Sequence, residues 1–295
     1  MKSGFVSLVG RPNVGKSTLI NSLIGTKIAI TSKVANTTRN IIQGIYNDKE
    51  SQIVFVDTPG IHKPQNKLGQ MLNKGAYYSI EDVDIICFLI DGKQKLGKGD
   101  LFVLERLKKI NKPVMLIINK IDGMTKDEIF LKIQEYKDLY DFKEIIPVSA
   151  LKNKNTNELI KTIKKYLKDD IKYFEDGTLT NRSIKFMVAE IIREKVLNLT
   201  KEEVPHSVTC TIEKMITDKD KTIINGVIIV DRDSLKKIII GASGAMIKKI
   251  GTLARKDIEE LLNTKVYLEL YVKTIEKWRD REKYLNELEF NDFLK

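Results

Sequence analysis

The sequence predicts an α/β domain built on a doubly wound, mostly parallel sheet, followed by a smaller α+β domain. Three observations carry this. Short, almost continuously apolar runs alternate with helical patterns over the first 170 residues, as buried parallel strands covered on both faces require. A polar stretch at 168–177, ending in Asp176-Gly177, then breaks the alternation. Beyond it the order changes to one long amphipathic helix, two β-rich runs, and two helical segments flanking a glycine motif.

The elements follow in order. Residues 5–9, 53–57, 84–91, 113–119 and 144–149 read as buried strands. Helical patterns fall at 16–24, 67–80, 100–110, 126–140 and 156–167. Ile184, Met187, Val188, Ile191, Ile192, Val196 and Leu199 recur at helical spacing. Runs at 207–216 and 222–231 read as strands, and residues 235–240 lead into Gly241-Ala242-Ser243-Gly244. A helix through Leu262, a strand at 265–272 and a charged C-terminal helix complete the chain. The expected domains are 1–170 and 181–295, joined by a linker at 171–180.

With 295 residues and 42% apolar content, the chain can bury two cores. The 31% charged fraction has no tail-like block, which argues against disorder. The longest apolar runs, 85–90 and 114–118, fall far short of the ~20 residues of a membrane span. Met1-Lys2-Ser3 leads too directly into the first strand to be a signal peptide. Cys87 and Cys210 are too few for a disulfide framework or a structural zinc site, and His62 and His206 lie far from both in sequence. The expectation is a soluble protein of a reducing compartment. Its formal charge of +11 points to a polyanionic partner, nucleic acid or an anionic membrane. Lys236, Lys237, Lys248, Lys249, Arg255 and Lys256 cluster around the second glycine motif.

Gly10-Arg11-Pro12-Asn13-Val14-Gly15-Lys16-Ser17 matches the phosphate-loop pattern G-x-x-x-x-G-K-S/T between a strand and a helix. The glycines let the backbone wrap close to an anion, whose charge faces the N–H groups of the helix start. Lys16 supplies a point charge for β- and γ-phosphates, and Ser17 a hydroxyl ligand for Mg²⁺. Asp57-Thr58-Pro59-Gly60 ends the second buried strand, where a carboxylate can hold Mg²⁺ and the Gly60 N–H can meet a γ-phosphate. Asn119-Lys120-Ile121-Asp122 ends another. Asp122 can accept from N1–H and N2–H₂ of guanine, donors that adenine lacks, while Asn119 can bond both base and loop and the Lys120 stem can cover the base. Val148-Ser149-Ala150 offers a backbone N–H to guanine O6. Together these predict a GTP site.

The first 170 residues thus resemble the translation-factor class of P-loop GTPases. Ala35-Asn36-Thr37-Thr38-Arg39 resembles the switch I signature of its Era branch. The resemblance implies nucleotide contacts from Gly10, Arg11, Pro12, Asn13, Val14, Gly15, Lys16, Ser17 and Thr18. It implies further contacts from Asp57, Thr58, Pro59, Gly60, Ile61, Asn119, Lys120, Ile121, Asp122, Ser149 and Ala150. It makes Thr38 the switch residue that joins Ser17 and Asp57 on Mg²⁺, with Thr37 the neighbouring candidate. It makes Asn13 a ligand for K⁺, and Lys16, Thr38, Gly60 and Asn13 the catalytic set. Ras-like members carry a water-orienting Gln where this chain has Ile61, so hydrolysis is expected to be slow, with the water held by backbone groups and an ion. His62 is adjacent, without established aim.

Ile240-Gly241-Ala242-Ser243-Gly244, with Ile247 and Ile250 behind it, matches the KH signature. Such a loop lets a nucleic-acid backbone approach and clamps about four nucleotides. Lys248 and Lys249 continue onto the next helix, placed for phosphates. Trp278 could stack on a base or pack inside. Helix–strand–strand–helix–helix–strand is the type II KH order. A GTPase domain followed by a type II KH domain resembles the Era family of bacterial ribosome-assembly GTPases over essentially the whole chain. That implies a monomeric, cytoplasmic GTPase that uses Mg²⁺ and K⁺, cycles between GTP and GDP, and binds the 3′ end of 16S rRNA. It further implies a role in 16S rRNA processing and 30S subunit biogenesis, in cell-cycle regulation, and peripherally at the cell membrane. Two alternatives stand beside it, a tRNA-modifying or other RNA-linked GTPase and a nucleotide-inert RNA-binding protein. Intact Lys16, Ser17, Asp57 and Asp122 speak against the second.

Overall fold

The computed structural model describes residues 1–34, 37–61, 64, 66–218, 220–288 and 290. The first part runs β1 (Lys2–Val9), α1 (Lys16–Ile24), β2 (Ile42–Asn47), β3 (Ser51–Asp57), α2 (Lys67–Glu81) and β4 (Ile85–Asp91). It continues with α3 (Lys98–Leu107), β5 (Val114–Asn119), α4 (Lys126–Lys137), β6 (Glu144–Pro147) and α5 (Thr156–Tyr166). The strands form one sheet in the order β2-β3-β1-β4-β5-β6. It is parallel throughout except for β2, which pairs antiparallel with β3 at the edge. One core lies on each face: Leu8, Leu19, Ile53, Cys87 and Ile117 on one side, Val9, Val56, Phe88, Val103 and Leu116 on the other. The alternate residues of each strand serve opposite cores, which is why these strands read as unbroken apolar runs.

The β2 strand was not expected from the sequence. Its pattern is interrupted by Gly44, yet that glycine is what allows α1 to lie on the strand. A Cβ there would come within 2.5 Å of Ile28 and 2.8 Å of Ile20. Side-chain absence, a weak-strand signal, is here a packing requirement.

The second part runs α6 (Ile184–Leu199), α7 (Val204–Ser207), β7 (Val208–Asp218), β8 (Lys221–Val230), α8 (Asp233–Ile240), α9 (Ala245–Leu262), β9 (Lys265–Thr274) and α10 (Glu282–Glu287). Its sheet order is β7-β8-β9, antiparallel then parallel. Val188, Ile192, Ile224, Ile228, Ile250 and Ile258 form its core. This is the α+β arrangement expected from the element order.

Two features bind the parts together. The stretch between them lies along the first sheet: the Ile171 N–H donates to Ser3 Oγ at 3.0 Å, and the Tyr173 and Phe174 N–H groups donate to Gln52 Oε1 at 2.7 and 2.9 Å. A fourth apolar cluster joins Leu68 and Leu72 of α2 to Val227 and Ile229 of β8, with Trp278, Leu285 and Phe290. The carboxyl ends of β1, β3 and β5 open on one edge of the large sheet, where ligands of open α/β folds bind.

Candidate functional site

A cleft of about 340 Å³ lies at that edge, lined by Pro12, Asn13, Gly15, Lys16, Ser17 and Thr18 of the loop after β1, residues 30–33, Thr37, Thr38, Gly60 and Lys120. The loop is shaped by close approaches. A Cβ on Gly10 would sit 2.4 Å from the Leu89 carbonyl oxygen, and one on Gly15 2.3 Å from Asn119 Nδ2. Gly15 also has φ +99°, in the left-handed region, so both space and backbone demand glycine. No side chain caps α1, which leaves its first N–H groups for an anion.

Lys16 is buried, with Nζ donating to the carbonyls of Gly10 (3.2 Å) and Arg11 (3.1 Å). Burial pushes its pKa down to about 8, against the opposing pull of Asp57. Ser17 Oγ donates to Asp57 Oδ2 at 2.7 Å, and Thr38 Oγ1 lies 2.8 Å from Ser17 Oγ and donates to Asp57 Oδ2 at 3.3 Å. Asp57 is fully buried, and its Oδ1 has no hydrogen-bond partner among the described residues. Burial raises its pKa, while Lys16, Ser17 and Thr38 pull it down. Three hard oxygen donors with an orphaned buried carboxylate oxygen fit Mg²⁺, which takes one or two carboxylates together with hydroxyl, water and phosphate oxygens. Thr37 is differently engaged: its hydroxyl bonds Ser32 Oγ and the Val34 carbonyl, both at 2.7 Å. Ala35 and Asn36 of the switch I signature, and His62, lie outside the described residues.

On the base side, Asn119 Nδ2 donates to the Val14 carbonyl at 2.8 Å and its Oδ1 accepts from the Ala150 N–H at 3.0 Å. Of the Val148-Ser149-Ala150 segment, one of whose backbone N–H groups is expected to reach guanine O6, the Ala150 N–H is engaged by Asn119. Lys120 Nζ reaches Asn13 O (2.6 Å) and Asp91 Oδ2 (2.7 Å), drawing its stem past Gly15. Asp122 accepts from Ser149 Oγ (2.7 Å) and Lys93 Nζ (3.2 Å), and the Ser149 bond foremost holds its carboxyl below the usual range. Asp91 and Lys93 had no sequence signal beyond the end of a strand.

Several expected residues turn their side chains away from the cleft. The Arg11 guanidinium pairs with Asp100 at 2.8 Å, because Gly97 and Gly99 of the α3 start leave room for it. Val14, Ile61 and Ile121 are buried in the apolar cores, and Thr58 Oγ1 donates to the Leu8 carbonyl at 2.9 Å. Only their backbones can serve a ligand. Ile61, in particular, is core and orients no water. Gly60 lies against Pro12, where a Cβ would come within 2.9 Å.

The second glycine motif stands between α8 and α9. Gly241 has φ +73° and no space for a Cβ, which would meet the Met246 N at 2.9 Å. Gly244 has φ +77° with nothing within 4 Å of its Cβ position, so its outer face is open. Ala242, Ser243, Lys248 and Lys249 are exposed, and no side chain caps α9. Ile250 is buried, whereas Ile240 and Ile247 are only half-buried beside the loop. Trp278 is completely buried and donates Nε1–H to the Ser207 carbonyl at 3.0 Å, which removes it from base stacking. His206 is exposed on the single turn of α7. Among the described residues no cluster of His, Cys, Asp and Glu could hold a metal, and no helix is long and apolar enough to cross a membrane.

A family model described as a 50S ribosome-binding GTPase matches residues 5–120, and one described as a KH domain matches residues 203–279. The chain is 50% identical to GTPase Era of Clostridioides difficile (strain 630) over 294 residues, 99% of each chain. It superposes with TM-score 0.95 on a crystal structure of an Aquifex aeolicus Era variant bound to GDP·AlF4⁻, at 42% identity, covering 98% of this chain and 99% of that one. Era in complex with MgGDPNP and nucleotides 1506–1542 of 16S ribosomal RNA gives the same TM-score at 41% identity, again over 98% and 99% of the two chains.

Proposed function

We propose, for a chain that belongs to the Era family of GTPases, that nucleotide turnover in the cleft controls the grip of the KH loop on the 3′ end of 16S rRNA. The observation that carries this is the cluster in which Ser17 and Thr38 both bond Asp57 Oδ2 while Asp57 Oδ1 is left buried without a partner among the described residues, since Thr38 belongs to the switch I signature and the other two do not. Mg²⁺, held by these three groups, would supply Lewis-acid charge at the β- and γ-phosphates. Lys16 gives up its two carbonyl partners for the phosphates, and the N–H groups at the α1 start receive them. Asp122 exchanges its Lys93 contact for the guanine donors, held in aim by Ser149. Asn119 keeps the base subsite tied to the phosphate loop. With Ile61 in the core, the attacking water falls to backbone groups near Gly60, and Asn13 becomes the candidate K⁺ ligand. After hydrolysis the γ-phosphate no longer holds Thr38 and Gly60, and both segments relax.

RNA would lie along Gly241–Gly244, its backbone against the open face of Gly244 and its phosphates toward Lys248 and Lys249. The relative's complex with a 16S rRNA fragment supports this target, and the 30S subunit would be the partner assembly.

The test is fluorescence anisotropy of a single-stranded RNA with the small-subunit 3′-end sequence, titrated with protein in a non-hydrolysable GTP analogue and in GDP. Tighter binding in the GTP form supports the switch. Equal binding in both states would leave an RNA site without the proposed control.

A further inference from the structure

The residue after Thr38 leaves the cleft and enters the other domain. Arg39 is buried, with Nη1 donating to the Val208 carbonyl at 2.5 Å and Nη2 to those of Pro205 (3.1 Å) and His206 (3.4 Å). Its guanidinium lies 5.9 Å from the Trp278 ring centroid. No carboxylate pairs with it among the described residues. Its charge is met by the carbonyls of Pro205, His206 and Val208, by the indole face and, at longer range, by the Glu190 carboxylate, while burial, with Arg193 adding to it, pushes its pKa down to about 9. The α6 helix holds the same segment as well. Arg193, paired with Glu190, donates to the Thr37 carbonyl at 2.5 Å, and Glu194 accepts from the Thr31 N–H at 2.9 Å. Glu194 also pairs with Lys27 at 2.5 Å, and Lys27 and Lys195 both pair with Asp257 of α9, the helix that follows Gly244.

We propose that Arg39 and Arg193 form a latch that makes the position of the switch segment and the position of the RNA-binding domain one variable. Arg39 and Arg193 are positioning residues in this device. Adjacent Cα atoms are about 3.8 Å apart, so Thr38 cannot leave Ser17 and Asp57 by more than a few ångströms while Arg39 keeps three carbonyls. A guanidinium buried without a carboxylate is costly unless every donor is satisfied, so partial withdrawal is disfavoured and the latch has two preferred states. From α6 the Lys195–Asp257 pair, and Lys27 bridging Glu194 to Asp257, carry the shift to α9 and the glycine loop. The path is contiguous and its movable element, the switch segment, is the one that nucleotide biases.

The latch rests on the coupling proposed above, and one experiment separates the two. RNA affinity is measured in the GTP analogue and in GDP for the full-length wild type and for Arg39→Lys. Lysine keeps the charge but cannot span three carbonyls. The affinity ratio of the wild type is expected to fall between about 5 and 150, the usual range of allosteric coupling. In Arg39→Lys it is expected to collapse to within about twofold of unity. A wild-type ratio of one overturns the coupling and the latch with it. A clear wild-type ratio that Arg39→Lys retains overturns the latch alone. Arg193→Lys, which keeps the Glu190 pair and shortens the reach to Thr37, gives the same reading if Arg39→Lys does not fold. Trp278, the single tryptophan, supplies a second signal. Its emission should differ between the two nucleotide states in the wild type and not in Arg39→Lys, whereas a merely destabilised protein would keep the difference.

Discussion

At the residue scale, the site depends on charges kept out of water until a ligand arrives. Lys16 is the clearest case, because burial alone lowers its pKa to about 8 in the nucleotide-free protein. Phosphates would return it to the ordinary lysine range. Below pH 8 the ammonium is already charged and binding needs no proton. Above it, binding takes one up, so GTP affinity is expected to fall up to tenfold per pH unit between about 8 and 10. Isothermal titration calorimetry in buffers of different ionisation enthalpy would detect that proton. An affinity flat from pH 7 to 9.5 would contradict it. Trp278 marks the opposite limit of residue-level reading. Flanked by Lys277 and Arg279, it could by sequence either stack on a base or pack inside, and the structure buries it completely.

At the element scale, the two proposed sites are loops between regular elements. In the first, Asn13 at φ 65° sends Nδ2 to the Lys33 carbonyl at 2.9 Å, tying the phosphate loop to the segment before switch I. With Asn13 as the K⁺ ligand, hydrolysis should be faster in K⁺ than in Na⁺, and Asn13→Ala should erase the difference. Phosphate-release rates in the two salts decide this, and equal wild-type rates would refute it. In the second, Lys248 and Lys249 start the exposed face of α9. The double change Lys248→Gln, Lys249→Gln should flatten the log–log salt dependence of RNA binding by roughly 1.4, about 0.7 for each lost single-strand phosphate contact. An unchanged slope would place the RNA elsewhere.

At the scale of the whole molecule, the two halves share one interface rather than a free tether. Leu68 and Leu72 of α2 pack with Val227, Ile229 and Trp278, and the buried Arg39 and Arg193 cross between the same halves. Unfolding one half would expose this surface and strand a buried guanidinium, so calorimetry of the full chain is expected to give one endotherm. Two well-separated transitions would show that the interface is energetically weak.

The sequence by itself determined both fold classes and most of the cleft. Parallel strands buried on both faces are apolar at nearly every central position, and phosphate loops and base-reading turns are contiguous motifs, so both are legible along the chain. It left out β2, whose Gly44 answers to α1 rather than to its own strand, and it did not show that Arg11, Thr58 and Ile61, expected at the nucleotide, turn their side chains away and leave only backbone to face it. Above all it did not expose the latch. Arg193 and Glu194 lie beside the apolar stripe of α6 and read as solvent-facing charges, and Arg39 reads as the end of a signature. Only the tertiary structure decided that these side chains are buried against the other half. Their partners are chiefly backbone carbonyls and N–H groups more than 150 residues away, and such groups leave no trace in side-chain identity.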